Sequence, residues 1–447
     1  MDTPICDFAR RYAASDVLRL HMPGHKGMGP LGPEPLDLTE IPGADDLYDP
    51  QGIIARSEEN AGQLFGGTTV YSTEGSSLSI RAMLYLAMLY ARSQGRKPRI
   101  IAGRNAHKAF LSAAALLDLE VQWLWPSSQS SYLSCPVTAE DLEAALAGEP
   151  PAAVYITSPD YLGHITPIAP LAEVCHRHNV LLLVDNAHGA YLRFLDPCRH
   201  PLALGADLCC DSAHKTLGVL TGGGYLHIAP QAPAFFRRRA KEAMTLFGST
   251  SPSYLILQSL DAANAALAGS YPRRLQEMAR ETAALRRRLE DHGFTCIGQE
   301  PLKLTLCPKS YGYTGTELAA ALQRRGHIVC EFSDPDFVVL MVSPETGREG
   351  LARLESTLLS LPRWTPITTQ PPAFRPPRQR MSIRQAAFSL SRTVPTAQSI
   401  GHILADAAVG CPPAVPIVAC GEEIDADAAA AFAYYGIQSC AVVDDAL

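Results

Sequence analysis

From residue 51 to residue 228 the chain alternates short apolar runs with longer stretches in which apolar residues recur every three or four positions, the pattern of strands joined by amphipathic helices. The spacing predicts helices over residues 76–93, 106–117, 142–147 and 171–178. It predicts strands over 99–102, 121–124, 152–157, 180–184, 207–210 and 223–228. Leu78, Met83, Leu84, Leu86, Ala87 and Leu89 make the apolar set of the first helix. Apolar strands alternating with such helices imply an α/β fold with a mainly parallel sheet covered on both faces.

Beyond residue 251 the pattern changes. Residues 252–290 are helical with an interruption near 269–272, and their second half is dense in arginine and glutamate, as in a segment that bridges domains. A smaller α/β unit follows, with strands expected over 302–306, 328–331 and 337–342 and helices over 317–325 and 349–359. Residues 362–378 are proline-rich and read as a linker. The last stretch carries helical patterns over 396–408 and 426–435 and apolar strands over 415–419 and 440–443. The expected organisation is an N-terminal arm and loop (1–50), a large domain (51–250), bridging helices with a small α/β domain (251–365) and a C-terminal α/β piece (366–447).

Length and composition narrow the class. At 447 residues the chain has enough length for a large core, and its net charge of −7 gives no broad basic field for nucleic acid or anionic lipid. Hydrophobic residues are 47% and charged residues 19%. No apolar run approaches the ~20 residues that span a bilayer. The opening MDTPICDFARRYAAS resembles neither a secretory signal nor a transit peptide, so a cytoplasmic protein is expected. The 12 cysteines form no C-x-x-C pair, and the adjacent Cys209 and Cys210 lie in a predicted strand, so buried structural thiols are expected and no metal site.

The candidate chemistry lies in VLLLVDNAHGAYL and ADLCCDSAHKTLGVLTGGGYLHI. A lysine at the end of an apolar strand, Lys215, is a costly packing choice unless its amine is paired or used. One use is a Schiff base with an aldehyde cofactor; pyridoxal phosphate then asks for a carboxylate that keeps its ring nitrogen protonated. Asp185 stands at the carboxyl end of a predicted strand, where ligands bind in open α/β sheets. The plainer alternatives are a surface lysine and a helix-capping aspartate. The cofactor's phosphate needs amides at a helix N-terminus, which STEGSSLSIRAML offers through Gly75, Ser76 and Ser77; an ordinary N-cap is the other reading. Ser212 and His214 can add donors, and His107 at a strand-to-helix junction can stack on a ring or simply cap its helix.

Taken in order, these segments resemble the Orn/Lys/Arg decarboxylases of the aspartate-aminotransferase fold, in particular the short biosynthetic arginine or lysine type. The resemblance is carried by LRLHMPGHKG, DLTEIPGADDLYDPQGIIARSEENAGQLFGG, STEGSSLSIRAML, RNAHKAF, VDNAHGAYL, DSAHKTL, GSTSPSYLILQSLD, PLKLTL and CPPAVPIVACGEEI. It implies the fold of pyridoxal-phosphate-dependent transferases (fold type I) and the cofactor pyridoxal 5'-phosphate. It also implies decarboxylation of a basic amino acid, arginine first, feeding polyamine synthesis, with lysine, ornithine or another reaction on the same cofactor as alternatives. A non-catalytic assembly or regulatory subunit is the alternative of another class.

By the same resemblance, Lys215 forms the Schiff base, Asp185 pairs with the ring nitrogen and His107 stacks on the ring, these three being the catalytic set. Gly75, Ser76, Ser77, Ser212 and His214 bind phosphate, while Ala187 and His188 line the cofactor. Ser249, Thr250 and Ser251 of GSTSPSY reach a neighbouring subunit's phosphate in the homodimer, or higher homo-oligomer, that the family implies. A basic substrate needs acids at the far end of its pocket; Glu40, Asp45, Asp46, Glu422 and Glu423 are the candidates. The chain departs from the family pattern at Asn186, Asp160, Gly218, Ala414 and Cys420, where an acid, threonine, proline, glycine and proline are usual.

Overall fold

The computed structural model describes residues 1–126, 131–373, 375–407 and 413–444. They form two compact units. The first comprises Met1–Lys97, Glu149–Ile156 and Ile168–Arg274; the second comprises Pro98–Gly148, Thr157–Pro167 and Leu275–Leu447, within those described limits.

The large, mainly parallel sheet has the strands β1 (Thr68–Ser72), β2 (Arg99–Gly103), β3 (Glu120–Leu124), β4 (Ala153–Thr157), β5 (Leu181–Asp185), β6 (Leu208–Asp211) and β7 (Gly224–Ile228). Their order is β1-β7-β6-β5-β4-β2-β3. β5 and β6 run parallel with Asp185 opposite Cys210, and β7 runs antiparallel to both β6 and β1. Every residue of β5 and of β7 is buried, which accounts for their mostly apolar runs, broken only by Asp185 and His227.

In the first unit, the helix Gly75–Ser93 buries Leu78, Ile80, Met83, Leu84, Leu86 and Ala87. It packs on β5, β6 and β7 and on the helix Ala234–Phe247, which turns Phe236, Ala240, Ala243 and Met244 inward. Truncating one such leucine to alanine costs about 2–5 kcal/mol, so this face ties the helix firmly to the sheet. Gly75 opens the helix at a φ of +66°, a left-handed conformation that a side chain disfavours. The predicted interruption at 269–272 is a real break between helices Tyr254–Ala268 and Tyr271–His292.

The second unit holds a four-stranded antiparallel sheet of order β10-β11-β9-β8, made of β8 (Cys296–Ile297), β9 (Lys303–Leu306), β10 (Phe332–Ser333) and β11 (Val338–Met341). It also holds the antiparallel pair β12 (Ser391–Pro395) and β13 (Ser439–Val443). Val394, Leu404, Ile417, Val418, Ile424, Phe432 and Val442 form a core around that pair.

Several elements differ from expectation for local reasons. Residues 328–331 form no strand: His327 closes the preceding helix at a left-handed φ of 49°, and the chain then runs outward, with Val329 82% exposed. In place of a helix over 396–408 there is a single turn, Thr396–Gln398, after which Gly401 takes a φ of +85° and Ile403 and Leu404 bridge to extended neighbours. Residues 415–419 make no ladder, because the carbonyls of Pro416 and Ile417 accept hydrogen bonds from the Arg104 guanidinium instead. The helix expected over 142–147 begins earlier, at Ala139, where Thr138 and Asp141 form a capping box. Cys411 and Pro412 of the CPP motif lie outside the described residues. Among the described residues no helix is long and apolar enough to cross a membrane.

Candidate active site

Asp185 ends β5 with 2% of its surface exposed. The Tyr155 hydroxyl donates to its Oδ2 at 3.0 Å and the Ala187 amide to its Oδ1 at 3.2 Å, with the Cys210 thiol at 3.7 Å. Burial pushes this carboxyl above the usual carboxylate range, and the positive charge of Lys215 and these hydrogen bonds oppose the shift. Lys215 stands not at a strand end but on the one-turn helix Ala213–Thr216 that follows β6. Its Nζ lies 3.1 Å from Nε2 of His188.

The first turn of the helix Gly75–Ser93 lies against this loop. The Gly75 amide donates to the Gly222 carbonyl at 2.6 Å, and Ser212 Oγ donates to Ser76 Oγ at 2.9 Å and accepts from the Ser76 amide at 3.3 Å. His214 holds its Nδ1 2.9 Å from the Gly223 carbonyl, so that nitrogen carries the proton. A Cβ added to Gly75 would come within 3.4 Å of His214 Cε1. Glycine thus keeps small a cradle of hydroxyls and amides at the positive end of a 19-residue helix. A buried carboxylate at a strand end, an amine beside it and anion-binding donors at a helix N-terminus suit the three handles of pyridoxal phosphate: ring nitrogen, carbonyl carbon and phosphate.

A second buried carboxylate, Asp211, ends β6. Its Oδ2 accepts from Nε2 of His200 at 3.0 Å and of His227 at 3.1 Å, and its Oδ1 from the Asn186 amide at 2.7 Å. Burial alone would raise its pKa; the two imidazoles outweigh burial and hold it well below the usual range. The grouping of His200, Cys209 and Asp211 has ligand-like spacing. Burial pushes the Cys209 thiol far up, however, and the Asp211 oxygens already take three N–H donors, so the group reads as a hydrogen-bonded carboxylate. Sequence reasoning missed Tyr155, His200, Asp211 and His227; Asp211 and His227 stand within the ADLCCDSAHKTLGVLTGGGYLHI segment, but their meeting with each other and with His200 depends on the pairing of β6 with β7.

The profile of the family described as "Orn/Lys/Arg decarboxylase, major domain" matches residues 3–307. The chain belongs to the Orn/Lys/Arg decarboxylase family. It is 30% identical over 463 residues to an arginine decarboxylase of Halalkalibacterium halodurans, covering 94% of this chain and 91% of that protein. It is 28% identical over 461 residues to an arginine decarboxylase of Bacillus subtilis, covering 95% and 91%. The crystal structure of the Francisella novicida lysine decarboxylase LdcF superimposes with a TM-score of 0.78 at 17% identity, over 99% of this chain and 81% of that one, a likeness of fold. As a member of this family the chain is a pyridoxal-phosphate-dependent amino acid decarboxylase.

Most of the departures from the family pattern acquire physical reasons. Asn186 donates to Asp211, so an acid there would set two carboxylates 2.7 Å apart in a dry site. Ala414 adopts a φ of 59°, the left-handed region where glycine is at ease. Asp160 accepts from the Leu162 and His164 amides at 2.9 Å and pairs with His164 at 2.8 Å, shaping its own turn. Burial pushes the Cys420 thiol up to about 12, an inert group. A Cβ added at Gly218 would meet nothing within 4 Å, so nothing in the structure explains the glycine there.

The remaining candidates are placed as follows. His107 caps the helix Lys108–Leu117 in the second unit, its Nδ1 accepting from the Ala109 amide at 3.1 Å. Glu40, Asp45 and Asp46 lie close enough to Tyr254 for their charges to raise its pKa, after the larger effect of burial. Asp45 accepts from the amides of Gln51, Gly52 and Ile54, which lower its pKa against the effect of burial. Asp46 accepts from the Tyr48 amide, and Glu40 from the Thr39 hydroxyl. In the second unit, Glu422 forms a buried ion pair with Arg104 at 2.9 Å, and Glu423 pairs with Arg380 at 2.7 Å. Ser249, Thr250 and Ser251 are exposed, and the Ser249 amide donates to Glu74 at 2.7 Å.

Proposed function

We propose that this decarboxylase acts on L-arginine, releasing carbon dioxide and agmatine for polyamine synthesis, as a cytoplasmic homodimer or higher homo-oligomer. The observation that carries the site is a buried Asp185 at the end of β5 together with Lys215, its Nζ 3.1 Å from His188, on the turn that packs against the Gly75 cradle. The substrate rests on the arginine decarboxylases it resembles over most of their length.

In this reading Lys215 holds the cofactor covalently, and Asp185, ionised by a cationic partner, keeps the ring nitrogen protonated. Gly75, Ser76, Ser77, Ser212 and His214 hold the phosphate, and Ala187, His188 and His107 bound the ring. Ser249, Thr250 and Ser251 serve the neighbouring subunit. Bound pyridoxal phosphate supplies the electron sink that accepts the pair left by the departing carboxyl group. Lys215 Nζ, released when the substrate's amino group takes its place on the cofactor and lying 3.1 Å from His188 Nε2, would then deliver the proton that replaces carbon dioxide at Cα. Of the five acids, Glu40 and Asp46 keep exposed carboxylates and are the ones we assign to the guanidinium. Asp45, Glu422 and Glu423 are committed to a helix start and two ion pairs.

The test is carbon dioxide release by cofactor-loaded protein offered arginine, lysine and ornithine in parallel, with Lys215→Ala as control. Release from arginine alone, absent in the variant, supports the reading. Equal or greater release from lysine or ornithine moves the substrate, and no release from any of the three overturns it.

A further inference from the structure

The second unit contains a cavity of ≈ 560 Å³. Its walls include Tyr132, Phe332, Leu404, Ile417, Phe432 and Tyr435. Two carboxylates line it, Asp334 and Asp406, and no lysine, arginine or histidine is found among the described lining residues. Its size falls within the roughly 300–1,000 Å³ of small-molecule sites.

Asp334 is the unusual member. It is 93% buried, being 7% exposed. Its Oδ1 accepts from the amides of Asp336 and Phe337 at 2.7 Å each, which fixes the turn into β11. Its Oδ2 is buried and has no hydrogen-bond partner among the described residues. The charge of Lys309 offsets part of this burial, but its Nζ gives Oδ2 no hydrogen bond, being held by Asp336 Oδ1 and the Tyr434 hydroxyl, each at 2.5 Å. A buried, unanswered carboxylate oxygen is expensive. Burial raises the Asp334 carboxyl to about 6 and Asp336 adds to that rise, yet the group is still mostly ionised at neutral pH.

What surrounds it selects a partner. The Tyr132 and Tyr435 rings meet edge to face with centroids 4.9 Å apart, and Phe332 and Phe432 add further aromatic surface. Aromatic faces together with two carboxylates attract an organic cation and repel an anion. A neutral apolar guest would leave Oδ2 unanswered. A small inorganic cation would leave the apolar wall unused.

We propose that this cavity binds a primary alkylammonium ion, with the ammonium on Asp334 Oδ2 and the alkyl chain along the apolar wall. None of its lining residues is among those assigned to the decarboxylation, and the proposal does not depend on which amino acid the enzyme decarboxylates. Its ligand class is that of the amines such a reaction releases.

The probe is n-butylammonium, titrated calorimetrically into holoenzyme reduced with borohydride, which saturates the C=N bond between Lys215 and the cofactor so that an added amine cannot exchange onto it; 1-butanol is the neutral comparison. Binding to the native sequence is expected, weakened at least tenfold in Asp334→Asn and nearly unchanged in Asp334→Glu, while turnover without added amine stays the same. Asparagine keeps the Oδ1 acceptor of the turn, so the fold should survive. Asp406→Asn offers a second removal of charge, with at least a threefold weakening expected. No binding, equal binding of 1-butanol, or affinity unchanged in Asp334→Asn or Asp406→Asn overturns the proposal.

Discussion

Asp185 and Asp211 end the parallel strands β5 and β6, are equally buried, and are pushed in opposite directions. Asp211 receives two imidazole N–H groups and an amide N–H, within 3.1 Å. Asp185 receives one phenol at 3.0 Å, one amide at 3.2 Å and a distant thiol. Burial is the same; the number and strength of donors decide the charge. A carboxylate answered fully by its own protein serves the structure, whereas one answered partly is left with an appetite for an external cationic N–H, which a pyridinium supplies.

The comparison can be broken most severely at Lys215. Lys215→Ala should lower turnover by a factor on the order of 10⁴, the upper range for a positioned proton-transfer group, read as carbon dioxide release. If substantial turnover survives, Lys215 is not the working amine. At the other carboxylate, Asp211→Asn should leave the imidazole donors facing an amide and cost about 3–5 kcal/mol, read from urea unfolding. The depressed pKa of Asp211 also fixes a sign. Its stabilisation is complete above the unfolded value of about 3.9 and is lost as pH falls through the folded value. Acid unfolding of native protein should therefore reveal a component that Asp211→Asn lacks.

Asp185→Asn should behave in the contrary way. Because the folded carboxyl is raised, ionising it in cofactor-free protein works against folding as pH climbs past about 3.9, so the variant should lose no stability at neutral pH. It should instead bind pyridoxal phosphate roughly tenfold to hundredfold more weakly, the value of a charged hydrogen bond of about 1.5–3 kcal/mol, read by fluorescence titration. A stability loss matching that of Asp211→Asn would erase the distinction. The smallest effect is expected at Gly75→Ala, where a left-handed φ with a side chain costs about 1–2 kcal/mol, seen as a lower melting temperature together with weaker cofactor binding.

Much of the local structure was legible in the chain. The helix Gly75–Ser93 and strands β2, β5, β6 and β7 follow their hydrophobic periods to within a residue or two, because each buries a face whose spacing the period records. The C-terminal stretch was less legible. There the expected strand at 415–419 gives its carbonyls to Arg104, a residue more than 300 positions away, and apolar character alone does not distinguish a strand from a buried irregular segment.

For the site, the residue types were readable where one segment carries both the group and its local setting: Asp185 with Ala187 and His188, Lys215 with Ser212 and His214, Gly75 with Ser76. The ordered motifs by themselves determined the family, and with it the cofactor and the reaction class. Tertiary structure alone decided the charge of each carboxylate. Tyr155 reaches Asp185 from β4, and His200, His227 and Asn186 reach Asp211 from three segments. It also decided that Asn186 suits its place better than an acid, and that Glu422 answers Arg104. The physical reason is range: backbone periodicity is a property of neighbours in sequence, while the charge of a buried group is set by donors a few ångströms away that the chain supplies from anywhere along its length.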